Sequence, residues 1–166
     1  MAIIRPEELV AIRSKYPDKK IAFCSGSFDL THVGHVLFFE DCKKQAEILV
    51  VGVGNDELMK TYKGPSRPVL NEHVRLKMVD SLKPVDYVFL QPGTNPDKIL
   101  VESLPYTFSN LKPDAYIINE DAFDIATRQN LAKQYNVPLI ILPRTCPEEF
   151  DAISTTKIIE KIRQGK

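Results

Sequence analysis

Cysteine is scarce. Cys24, Cys42 and Cys146 form an odd set with no CxxC pair. That argues against a disulfide framework or a zinc ribbon, and for a reducing, cytoplasmic setting. An excess of one charge is missing: Lys and Arg number 22, Asp and Glu also 22. A neutral chain lacks the basic face that wrapping a nucleic acid requires, although a local basic pocket stays open. No apolar run approaches the ~18 residues of a membrane span, and no signal peptide precedes the first polar residues. Histidine is also rare. Only His32, His35 and His73 are present, and His73, alone on a polar stretch, receives no role.

What remains is an ordinary globular composition, 43% hydrophobic and 27% charged over 166 residues. A chain of this length buries roughly 70% of its unfolded surface, enough for a real core. No low-complexity linker or internal repeat divides it, so residues 1–166 read as one domain. Short apolar, β-branched runs at 21–25 (IAFCS), 48–53 (ILVVGV), 86–90, 115–118 and 139–142 (LIIL) read as five strands. Helical spacing falls at 6–16, 36–46, 71–82, 97–104, 123–135 and 154–163. The alternation predicts an α/β fold: a doubly wound, five-stranded parallel sheet in a three-layer α/β/α arrangement. The segment 91–114 carries Pro92, Pro96, Pro105 and Pro113. It reads as an irregular excursion, a lid or an oligomer contact.

The chemistry concentrates just after the first of these strands, in Gly26-Ser27-Phe28-Asp29-Leu30-Thr31-His32-Val33-Gly34-His35. Ligands bind at the carboxyl ends of strands in open parallel sheets. Gly26 allows a sharp turn and a close backbone approach. The amides that follow can form an anion nest. His32 and His35, three apart in the first helical turn, share one face beside the positive end of the helix. Two imidazoles there, neutral or protonated, suit donation to phosphate oxygens whose charge grows in a transition state. A metal pair is the weaker reading, because no third soft ligand lies nearby.

The pattern G-x-F-D-x-x-H-x-G-H resembles the signature of the HxGH nucleotidyltransferase superfamily. That resemblance implies a Rossmann-like fold and transfer of CMP or AMP from CTP or ATP to a phosphate, with release of pyrophosphate and with Mg²⁺ shielding the charges. It also implies roles. Gly26, Ser27 and Phe28 hold phosphates through backbone amides. His32 and His35 stabilise the transition state, and Asp29 orients the loop or helps hold the metal. The stretch KTYKGPSRPV (60–69) is similar to the family's mobile lysine loop and carries over Lys63, with Lys60 as its second cation. Arg75 matches an arginine that follows an acidic residue, against the alternative of a surface salt bridge. Ser154, Thr155 and Thr156 match a hydroxyl-rich ISTT phrase that binds the terminal phosphates at a helix N-terminus, while Ser154 also serves as a plain cap.

The phrases KGPSRPV and VDYV look like the adenylyltransferase domain of ADP-heptose synthases. ISTTKI and Arg144-Thr145 look like glycerol-3-phosphate cytidylyltransferase. Two departures concern the substrates. Where the heptose enzymes have Lys-Gly-Gly-Asp-Tyr, this chain has Ile118-Asn119-Glu120-Asp121-Ala122, and only Asp121 survives. Residues 146–152 separate Arg144 from the ISTT phrase, which argues against its reaching the nucleotide. The expected substrates are a nucleoside triphosphate and a small sugar- or polyol-phosphate. A pantetheine-phosphate or mononucleotide adenylyltransferase is the alternative within the same chemistry, and a nucleotide-binding regulatory module the alternative outside it. The family further implies a homodimer.

Overall fold

The computed structural model describes residues 2–93, 99–150 and 152–165. Six strands, all parallel, form one sheet: β1 Ala2–Ile3, β2 Ile21–Gly26, β3 Ile48–Val53, β4 Tyr87–Leu90, β5 Ala115–Asn119 and β6 Leu139–Leu142, in spatial order β1-β4-β3-β2-β5-β6. The expected five-stranded sheet is therefore corrected to six. The edge strand β1 is two residues long, too short to show an alternation in the sequence. From β2 the chain steps outward to β3 and β4, then returns to build β5 and β6 on the other side. The carboxyl ends of β2 and β5 thus flank a topological switch point, where open α/β sheets bind ligands.

The helices are α1 Leu9–Lys15, α2 Val33–Lys43, α3 Asp56–Lys63, α4 Glu72–Asp80, α5 Ile99–Leu111, α6 Ile125–Gln134 and α7 Thr155–Arg163. Alternate residues of the buried strands feed two apolar cores. One joins Ile21, Phe23, Val50 and Tyr116 to α1, α3, α5 and α6. The other joins Ala22, Cys24, Val51 and Ile117 to α2 and α4. These two cores are the contacts of a three-layer α/β/α stack.

Two segments differ from the expectation. Most of 91–114 is the helix α5, with Pro105 inside it. Leu100, Leu104, Phe108 and Leu111 recur at helical spacing and are buried in the first core. Burying four large side chains, at about 1.5–3 kcal/mol each, outweighs the roughly 3 kcal/mol of an interior proline. Residues 94–98, including Pro96 and the expected helix start at 97, lie outside the described residues. The other difference is α3, which occupies the first part of the expected lysine loop. Asn55 caps it by accepting from the Leu58 amide at 3.0 Å, Asp56 and Glu57 fill its first turn, and Gly64 ends it.

Candidate active site

The loop after β2 is held in a tight turn. Phe28 and Leu30 both adopt positive φ, 47° and 45°, a region that costs non-glycine residues on the order of 1 kcal/mol or more. Burial offsets this cost at Phe28. Its ring packs 4.8 Å from that of Phe39 and stands edge-on to His35 at 5.5 Å. The turn therefore builds a wall behind His35.

His32 is the N-cap of α2. Its Nδ1 accepts the Gly34 amide at 3.1 Å, and His35 Nδ1 accepts the His32 amide at 3.4 Å. With both Nδ1 atoms acting as acceptors, each neutral ring carries its proton on Nε2. The rings stack with centroids 4.0 Å apart and planes 24° from parallel. Any side chain at Gly34 would crowd this pair, because a Cβ there would lie 3.0 Å from the His32 ring. Burial, then the neighbouring His32, Lys63 and Arg144, lowers the His35 pKa to about 3. Burial and Arg144 lower that of His32. Of the two protonation states open from the sequence, the neutral one prevails at pH 7. The pair presents two N–H donors rather than two cations.

Lys63 Nζ donates to Ser27 Oγ at 2.9 Å, so the end of α3 meets the turn after β2. Burial and the like charge of Arg67 lower the Lys63 pKa. Across the cleft, α7 presents its N-terminus. Ser154 Oγ accepts the Lys157 amide at 3.2 Å, and Thr155 Oγ1 donates to the Asp29 carbonyl at 2.8 Å. A cleft of about 320 Å³ results, lined among others by Gly26, Ser27, Phe28, His32, His35, Lys63, Asp121, Ser154, Thr155 and Thr156. A second hollow of about 340 Å³ adjoins it between α2 and residues 143–154.

Three expected site residues lie elsewhere. Lys60 is exposed and does not line the cleft. Arg75 is fully buried. It donates to the carbonyls of Leu70 and Ser27 and to Asp56 Oδ1, at 2.9, 2.6 and 2.7 Å. Neither direct nucleotide contact nor a surface salt bridge describes it. It is an internal strut that sets the Ser27 carbonyl. Asp29 is 1% exposed. Its carboxylate accepts the Val69 and Leu70 amides at 2.9 and 3.0 Å and faces Arg67 at 3.3 Å. That leaves it poorly placed to bind a metal and well placed to orient the loop. Among the described residues, no group of three His, Cys, Asp or Glu could hold a metal ion.

The structure also adds residues. Arg144 lines both hollows and pairs with Asp121. Arg144 therefore stands at the cleft, although residues 146–152 separate it from Ser154 in sequence. Arg67, Gln91 and Arg128 line the cleft as well. Gln91 carried a signal, standing at the carboxyl end of a strand. Arg128 carried none, since an arginine inside a helix looks like a surface residue.

The stacked imidazoles thus sit beside a helix N-terminus at the switch point of a Rossmann-like sheet. The chain belongs to the cytidylyltransferase-like family, whose profile matches residues 23–161. It is 35% identical over 161 residues to the bifunctional protein HldE of Campylobacter jejuni strain RM1221, covering 96% of this chain and 31% of that protein. It is 30% identical over 158 residues to the HldE of Alcanivorax borkumensis, covering 94% and 30%. The chain thus spans about a third of the length of these curated relatives. Among solved structures, a lipopolysaccharide core biosynthesis protein from Thermoplasma volcanium superposes with a TM-score of 0.58 at 25% identity, covering 78% of this chain and 99% of that one. Pantoate-beta-alanine ligase from Francisella tularensis gives 0.64 at 15% identity, over 99% and 78%, a likeness of fold alone. No helix among the described residues is long and apolar enough to cross a membrane.

Proposed function

We propose that residues 1–166 act as one catalytic unit that transfers CMP or AMP from CTP or ATP to the phosphate of a small sugar- or polyol-phosphate. An acceptor phosphate oxygen attacks the α-phosphorus, the bond from that phosphorus to the bridging oxygen breaks, and pyrophosphate leaves. The observation that carries this reading is the stacked histidine pair, whose Nδ1 atoms are bonded internally and whose Nε2–H groups are left as donors. Neutral donors are suited to charge that appears during the reaction, because they need no proton transfer and stay fixed as it grows. The backbone of Gly26, Ser27 and Phe28 and the N-terminus of α7 hold the phosphates. Lys63 neutralises charge between the two substrates, and catalysis is positioning plus charge stabilisation. Mg²⁺ would arrive bound to the triphosphate and shield its charge. Similarity to HldE proteins and to a lipopolysaccharide core biosynthesis protein supports a sugar phosphate as acceptor.

The test is pyrophosphate release from CTP or ATP with Mg²⁺ and a panel of acceptors: glycerol 3-phosphate, hexose 1-phosphates and 4′-phosphopantetheine. Release with a sugar or polyol phosphate is expected. Release with 4′-phosphopantetheine alone would replace the acceptor class. Nucleotide binding without release from any acceptor would overturn turnover itself and leave a binding module.

A further inference from the structure

We infer that Arg128 grips the phosphate of the acceptor, from the face of the sheet opposite the histidines. The inference rests on the transfer reading above and assigns a residue that no motif marks. Arg128 is 8% exposed, yet it lines the cleft. Nε donates to the Phe123 carbonyl at 2.7 Å, and Nη1 donates to the Tyr116 hydroxyl. The Tyr116 hydroxyl also shares a hydrogen bond with Ser25 Oγ, 3.2 Å away, in which either oxygen can donate. This chain fixes the guanidinium plane beneath the rim of β2.

Among the described residues, Nε and Nη1 of Arg128 make hydrogen bonds and Nη2 makes none. The buried side-chain nitrogens and oxygens without a hydrogen bond among the described residues are Arg67 Nε, which keeps its ion pair with Asp29, and Asp80 Oδ1. Nη2 is not one of them, so it keeps some exposure in a residue that lines the cleft. Among the described residues no carboxylate stands within ion-pair distance of Arg128, whereas Arg67 faces Asp29 and Arg144 faces Asp121. Asp124, at the start of the same helix, feels the Arg128 charge without forming an ion pair with it; a mostly buried guanidinium without an ion pair is costly unless an anion completes it, and a planar fork fits phosphate oxygens.

The direction follows from the sheet. Arg128 belongs to α6, and Tyr116 and α6 pack on the first core. Phe28 and the helix carrying His35 pack on the second. In-line displacement places nucleophile and leaving group on opposite sides of the reacting phosphorus. With the triphosphate against the histidines and α7, the attacking phosphate approaches from the Arg128 side.

The experiment titrates inorganic phosphate by calorimetry into the full chain saturated with a non-hydrolysable CTP or ATP analogue. The wild type is expected to bind phosphate, and Arg128→Gln to bind it at least tenfold more weakly while its affinity for the analogue stays within twofold. Equal phosphate affinity in both proteins would overturn the assignment. So would parallel loss of phosphate and analogue, the result for a mere strut. Should Arg128→Gln not fold, Tyr116→Phe serves. It keeps the charge but loses the orienting hydroxyl, and is expected to raise the acceptor KM several-fold with the nucleotide KM unchanged; equal KM values would overturn the assignment. Pyrophosphate release with normal acceptor KM in the variants refutes Arg128 alone. Phosphate binding that depends on Arg128, without release from any acceptor, refutes the transfer reading alone.

Discussion

The hydroxyl of Thr155 donates to the main-chain carbonyl of Asp29 at 2.8 Å, joining positions 126 residues apart. The carboxylate of the same aspartate holds the amides of Val69 and Leu70. One buried residue therefore ties the turn after β2, the loop before α4 and the start of α7 into a single rim. Thr155→Val keeps the shape and removes the donor. A hydrogen bond of this kind contributes about 1 kcal/mol net, so Tm is expected to fall by about 2–4 °C. The nucleotide KM should rise as α7 loosens. Calorimetry and initial rates read both, and unchanged values would show that α7 docks without this bond.

Asp29 was open to two roles, loop orientation and metal binding, and its surroundings separate them. Asp29→Asn turns one acceptor into a donor that faces an amide N–H, and a buried amide left unpaired costs about 1–3 kcal/mol. Stability and turnover should fall together. The Mg²⁺ concentration for half-maximal rate should stay within twofold, measured at fixed nucleotide. A shift of tenfold or more would make Asp29 a metal ligand.

His35 links the site to acid stability. Its pKa is about 3 in the fold against an ordinary 6.5. Above pH 6.5 the ring is neutral in both states and its contribution is complete. As pH falls below that, the unfolded chain takes up a proton that the folded chain refuses, so stability falls by up to about 1.4 kcal/mol per pH unit until pH nears 3. His35→Asn keeps an acceptor for the His32 amide and does not titrate. Between pH 7 and pH 5 the wild type should lose at most about 2 kcal/mol more than the variant in urea unfolding. Parallel losses would mean that the ring protonates freely in the fold.

The same histidine pair sets the catalytic prediction. Removing one preorganised donor to transition-state charge lowers turnover on the order of 10²-fold or more. His32→Ala and His35→Ala should each do so while the nucleotide is still bound. Turnover within about threefold of wild type in either would remove that residue from the chemistry.

Legibility divided along physical lines. The strands covered on both faces and the glycine turn after β2 stood out because burial and backbone conformation leave local marks in sequence. His32 and His35 stood out through their spacing at a helix start. What failed to show depended on distant partners. Arg75 reads like any helical arginine until Asp56 and the Ser27 carbonyl close around it. Arg128 gains meaning only from Tyr116, which reaches it across the sheet-to-helix layer. In α5 the prolines were visible and the stripe of Leu100, Leu104, Phe108 and Leu111 was equally visible. The prolines argue for a break, and the buried area of the stripe outweighs them. The helix α3 was masked in the same way by the Gly and Pro that follow it.

The two lysines of α3 offer a control within one helix. Lys63 reaches Ser27 Oγ at 2.9 Å and lines the cleft, whereas Lys60, nearly one turn earlier, lines no part of it, although both side chains are exposed. Both stand in the helix's last turn and complement its dipole alike, an effect of about 0.3–1 kcal/mol that salt screens. Helix stability therefore cannot distinguish their substitutions, but contact with phosphate can. Lys63→Ala should lower kcat/KM by on the order of 10²-fold, the scale of a lost charged donor, with Tm nearly unchanged. Lys60→Ala should leave kcat/KM within about twofold, as expected for an exposed charge. Equal losses from the two substitutions would mean that α3 acts through its overall positive charge, and Lys63 would lose its specific place between the substrates.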